Sequence, residues 1–139
     1  MNTGKVIADT NVVSYLMKGA PLGQRYKHHL TGKLVGIVFV TVAELYYGAE
    51  RNNWGENRRK QLEEHLKNFI VLPYNNEIAK VYAHVVIECE RKGRSINFPD
   101  AWIAATALWH HLPLVTHDLD FSGISGLQVI TENESQGQT

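Results

Sequence analysis

The chain has 139 residues, 44% of them hydrophobic and 20% charged, enough for one domain whose core needs neither disulfides nor a structural metal. Its 14 basic and 14 acidic residues cancel, which excludes a protein whose main work is blanket electrostatic binding to nucleic acid, although a local basic patch beside an acidic site stays open. The single Cys89 excludes an intramolecular disulfide and a multi-cysteine zinc site. With no secretory leader pattern and no apolar run of bilayer-spanning length, a reducing cytoplasm and no membrane attachment are expected.

KVIAD (5–9) reads as a buried strand and TNVVSYLMKG (10–19) as a helix closed by Gly19. Residues 21–32 form a further short helix, and LVGIVFV (34–40), β-branched and aromatic, is a second buried strand. From Thr41 the period becomes helical, with Val42, Leu45 and Ala49 on one face. A charged amphipathic helix over 55–68 turns Leu62, Leu66 and Phe69 inward, and FIVLP (69–73) is a third strand. The helix at 75–92 buries Ile78, Val81, Tyr82, Val85 and Val86; after the loop at Gly93, PDAWIAATALWHH (99–111) is helical, with Pro99 suited to its first turn. PLVTH (113–117) and LQVIT (127–131) complete the strands, and residues 132–139 form a polar, disordered tail to a domain at 1–131.

Strands alternate with helices and read as continuous apolar runs, the mark of a parallel sheet covered on both faces. The expected fold is α/β, a single-domain three-layer sandwich with a central, mostly parallel sheet of about five strands.

Ligands of such sheets lie at the carboxyl ends of the strands. Asp9 closes the first strand, Glu44 follows the second, and Asp118 follows PLVTH with Asp120 two residues on. Asp100 lies in the first turn of its helix. Each has a plainer reading: Asp9 and Asp100 as helix-start residues, Asp118 and Asp120 as a solvated turn, Glu44 as a surface residue. Together on one rim, with no lysine or arginine within three residues of any of them, they would repel by about 4 kcal/mol per close pair. Proton uptake or a bound cation relieves this, and an all-oxygen donor set selects Mg²⁺ or Mn²⁺.

IADTNVVSYL, TVAELYYGAER, NFPDAWIAATAL and LVTHDLDF, in that order and spacing, resemble the PIN-domain family, nearest to its VapC-type ribonuclease toxins. The resemblance covers Val6 to about Ile130. It implies a metal-dependent endoribonuclease with Asp9, Glu44, Asp100 and Asp118 as catalytic acids, and Asp9, Asp100, Asp118 and Asp120 as metal ligands. Asn11 and Thr116 match polar positions that hold carboxylates or the substrate phosphate. It also implies a cognate VapB-like antitoxin, an RNA substrate and a homodimer. The antitoxin groove would lie on the helices carrying Tyr15, Met17, Tyr46 and Tyr47.

Arg51, Arg58, Arg59 and Lys60 make the densest basic patch, around Trp54. They could grip RNA phosphates while Trp54 stacks a base, or form a solvated helix face; Arg91, Lys92 and Arg94 pose the same choice. The histidines are not spaced as ligand pairs, His117 has a structural place at a strand end, and Cys89 faces a core. One rival reading is a phosphatase of the haloacid dehalogenase type, which needs D-x-D where this chain has D-T-N. A nuclease-like module that binds without cutting is another; a receiver domain fails for want of an aspartate in FIVLPYNN.

Overall fold

A computed structural model of the chain describes residues 4–133. Five strands form one parallel sheet: β1 (Lys5–Ala8), β2 (Leu34–Val38), β3 (Ile70–Leu72), β4 (Leu114–Val115) and β5 (Val129–Ile130), in the order β3-β2-β1-β4-β5. The helices are α1 (Thr10–Lys18), α2 (Pro21–Leu30), α3 (Phe39–Arg51), α4 (Glu56–Leu66), α5 (Asn76–Arg91) and α6 (Phe98–His110). Among the described residues no helix is long and apolar enough to cross a membrane.

Side chains alternate across a strand, and here the alternation builds two cores. Ile7, Val38 and Leu114 face α5 and α6, joining Ile78, Val85, Cys89 and Ile103. Val6, Ala8, Val35, Ile37 and Val115 face the other way, against Val12, Val13, Tyr26, Leu62 and Leu66. The three layers predicted from the strand–helix alternation are therefore present, and the sheet is parallel throughout.

Two glycines fix the helical hairpin on the second face. Gly19 caps α1 at φ 64°, and Pro21 starts α2 at once. A Cβ on Gly23 would lie 2.6 Å from the Tyr15 carbonyl oxygen, so any side chain there must push the two helices apart.

The strands predicted at 113–117 and 127–131 shrink to Leu114–Val115 and Val129–Ile130, and three further boundaries need correction. The expected second strand, 34–40, stops at Val38, because Phe39 and Val40 pack as the first helical residues of α3 against the Trp102 core; tertiary contacts override their strand propensity. The expected strand at 69–73 is a short, half-exposed edge strand ended by Pro73. Glu132 was expected to open a disordered tail, yet its N–H donates to the Tyr26 hydroxyl at 2.9 Å and its carbonyl accepts from Arg25 at 2.7 Å. Asn133 is tied down too, its side-chain amide donating to the His117 carbonyl at 3.0 Å, and residues 134–139 of that tail lie outside the described residues.

Candidate active site

The chain leaves β1 for β2 and β3 on one side, and returns to β4 and β5 on the other. Such a reversal opens a crevice at the carboxyl ends of the two flanking strands. Asp9 follows β1 and caps α1, and Asp118 lies just beyond β4, so the two acids stand on either side of it. α3 brings Glu44, and the first turn of α6 brings Asp100.

Asp9 is buried at 3% exposure and is held through both oxygens. Its Oδ1 accepts from the Thr10 N–H and its Oδ2 from the Thr116 hydroxyl, each at 2.7 Å. Thr116 Oγ1 in turn accepts from the Asp118 N–H at 3.0 Å, and Asp118 Oδ1 from the Asp120 N–H at 2.8 Å. One buried hydroxyl therefore sets the spacing of two acids. The Thr10 hydroxyl donates to Glu44 Oε1 at 2.7 Å and lies 2.9 Å from Thr41 Oγ1. Asn97 caps α6, accepting from the Asp100 N–H at 2.8 Å.

Carboxylate oxygens of Asp100, Asp118 and Asp120 converge within 4.8 Å of one another. Asp9 lies outside this trio but within electrostatic reach of it. Burial first, then the charges of Asp9, Asp118 and Glu44, raise Asp100 from 3.8 to about 7. Asp9 rises to about 6, chiefly by burial, against the lowering pull of its Thr116 and Thr10 hydrogen bonds. None of the ion pairs between described residues touches these acids. The donor set is all oxygen and negatively charged, which fits a hard divalent cation.

The structure thus gathers Asp9, Glu44, Asp100, Asp118, Asp120 and Thr116 at one edge, while Asn11 sits exposed on the first turn of α1. Thr10, Thr41 and Asn97 were missed. Asn97 was legible as a helix cap before a proline; the threonine contacts join residues 31 and 34 apart and leave no local pattern.

The basic patch divides. Arg59 bonds the Trp54 carbonyl at 2.6 Å and pairs with Glu50. Trp54 packs on the second core and carries the Arg58 guanidinium 3.9 Å over its ring, so a base cannot stack on that face without displacing Arg58. Arg51 bonds the Tyr47 hydroxyl, and Lys60 pairs loosely with Glu56. Arg94 donates to the Asp120 and Ser122 carbonyls, and Lys92 to that of Gly123; both staple the loop that presents Asp118 and Asp120. His117 is structural, its Nδ1 2.6 Å from the Tyr26 hydroxyl.

Thr116→Val is expected to cost about 1–3 kcal/mol of stability, because Asp9 loses a donor and the Asp118 N–H an acceptor. Thr116→Ser, which keeps the hydroxyl, should restore most of that stability in thermal melts.

Known proteins share this sequence and fold. The PIN domain family model matches residues 6–127. Ribonuclease VapC2 of Haemophilus influenzae is 32% identical over 130 residues, 93% of this chain and 97% of that protein. A tRNA(fMet)-specific endonuclease VapC of Shigella flexneri is 30% identical over 125 residues, 89% of this chain and 95% of its own. Among solved structures, a toxin–antitoxin complex from Klebsiella pneumoniae superposes with a TM-score of 0.74 at 26% identity, covering 91% of this chain and 96% of the matched one. Matched nearly end to end in sequence and in fold, the chain belongs to the PIN domain family.

Proposed function

We propose that the chain is a metal-dependent endoribonuclease that hydrolyses RNA phosphodiester bonds, and that it is the toxin of a toxin–antitoxin pair. The observation that carries this is the convergence of Asp100, Asp118 and Asp120 within 4.8 Å, beside a buried Asp9. Relatives matched over almost their whole length are named ribonucleases.

Asp100, Asp118 and Asp120 would hold the cation, Mg²⁺ or its substitute Mn²⁺, with Asp9 completing the shell directly or through water. Once bound, the ion supplies charge against the phosphate and lowers the pKa of a coordinated water. Asp9 keeps its orientation through Thr10 and Thr116, so its position does not depend on the ion. Glu44, which accepts from the Thr10 hydroxyl, would orient the attacking water or take its proton, a role worth about 10²–10⁴-fold. Asn11, exposed on the first turn of α1, would meet the substrate phosphate. The nuclease unit would span 1–131, of which residues 4–131 are described, with Glu132 and Asn133 hydrogen-bonded onto it.

The partner is a VapB-like antitoxin. Tyr46 and Tyr47 are exposed at 43% and 61% on α3, the helix that carries Glu44, and offer aromatic anchorage beside the acids. A haloacid dehalogenase-type phosphatase would need an acid where Asn11 stands.

Antitoxin-free protein incubated with total RNA should give discrete fragments in Mg²⁺ or Mn²⁺ and none after chelation. Transfer RNA is the first class to examine, given the Shigella relative. Intact RNA in every lane, from folded protein that binds metal, would overturn the reading in favour of a non-cleaving module.

A further inference from the structure

We infer that the chain carries a second cation site, for Zn²⁺ or a similar borderline metal, formed by His28, His29 and Glu132. It goes beyond the nuclease reading and shares no residue with the acidic crevice.

His28 and His29 occupy the last turn of α2, and the segment after β5 folds back to meet them. Glu132 is pinned by its own main chain, its N–H to Tyr26 and its carbonyl to Arg25. Its Oε2 lies 2.6 Å from His29 Nε2 and 3.8 Å from His28 Nε2. One nitrogen from each ring and a carboxylate oxygen fall within 4.8 Å of one another.

A tetrahedral ion with bonds of about 2.0–2.1 Å sets its ligands roughly 3.3 Å apart. The two observed separations bracket that value, so coordination asks one ring to retreat and the other to advance by a fraction of an ångström. The rings already lie together, centroids 3.9 Å apart, although neighbouring residues on a helix ordinarily diverge. The carboxylate is divided between its neighbours: Oε1 lies 3.9 Å from Arg25 Nη2, whereas Oε2 faces the imidazoles. Arg25 therefore balances one oxygen while the other stays available as a ligand.

Donor chemistry sorts the two sites. Imidazole nitrogens suit Zn²⁺, Ni²⁺ or Cu²⁺, whereas carboxylates alone suit Mg²⁺ and Mn²⁺. Three protein ligands leave a fourth position for water. Bound there, the ion would clip residues 131–133 to the end of α2.

Cobalt(II), a visible reporter for zinc, tests this on the full-length chain in excess Mg²⁺. Low-coordinate absorption bands should appear and be bleached by about one equivalent of Zn²⁺. His29→Ala should lose the bands and bind Zn²⁺ at least roughly tenfold more weakly. His28→Ala should do the same; that side chain is 66% exposed, so its removal does not endanger folding. Asp100→Asn should leave the bands intact. Bands that survive both histidine variants, that vanish in Asp100→Asn, or that never form would each overturn the inference.

Discussion

Asp100→Asn is expected to abolish RNA cleavage and, at the same time, to stabilise the metal-free protein. The amide keeps the volume of the side chain and its capped helix start but removes a ligand charge, so cleavage should fall by about 10³-fold or more. The gain in stability has a separate origin. Asp100 is raised to about 7 by burial and by three neighbouring acids. A carboxyl held above its unfolded value adds stability below that value, and this contribution is lost as pH rises through the folded pKa. At pH 8 the ionised group therefore weakens the metal-free fold, by roughly 1–2 kcal/mol once its partial exposure to solvent is allowed for. Asparagine carries no such charge. The variant should melt a few degrees above the parent at pH 8 and level with it near pH 4. Unchanged cleavage would remove Asp100 from the site, and an unchanged melting point at pH 8 would mean that neither burial nor the neighbouring acids disfavour its ionised form.

The second large effect is on pH dependence. At the proposed metal site, Mg²⁺ would have to displace a proton from Asp100 below about pH 7 and another from Asp9 below about pH 6. Apparent Mg²⁺ affinity should then rise up to a hundredfold per pH unit below about 6, roughly tenfold per unit from there to 7, and level off above. Cleavage at limiting Mg²⁺ should follow the same curve, whereas saturating Mg²⁺ should move its midpoint to lower pH. Metal-free stability runs the other way, greatest in mild acid and falling as both groups ionise. Calorimetric titration of Mg²⁺ between pH 5 and 8 measures this directly, and a flat affinity would show that neither carboxyl is raised.

Much of this site was legible in the sequence because strand ends and helix starts carry local signals. A β-branched run followed by Asp9, and a proline beside Asp100, each mark a junction without knowledge of the fold. Their meeting required one further step, the rule that parallel sheets gather function at their carboxyl ends. What escaped depends on contacts between distant segments. Thr10 and Thr41 look like ordinary helix residues until β1 and β2 lie side by side. For Trp54 and its arginines the sequence left an RNA platform and a solvated helix face both open, and the side chains turn toward one another and the second core. Arg94 and Lys92 left the same choice and prove to hold a loop. His28 and His29 showed no ligand spacing along the chain, since their third member, Glu132, is more than a hundred residues away and stood in a segment expected to be disordered.

The helix that delivers Asp100 is buried without a break from Ala101 to Ala107. Most helices of a protein this size can absorb changes on an outward face; this one has almost none. In a genetic selection for inactive variants, α6 should therefore offer the largest mutational target in the chain. Substitutions there would recover far more often than their share of the coding sequence, and most would never touch the acid itself.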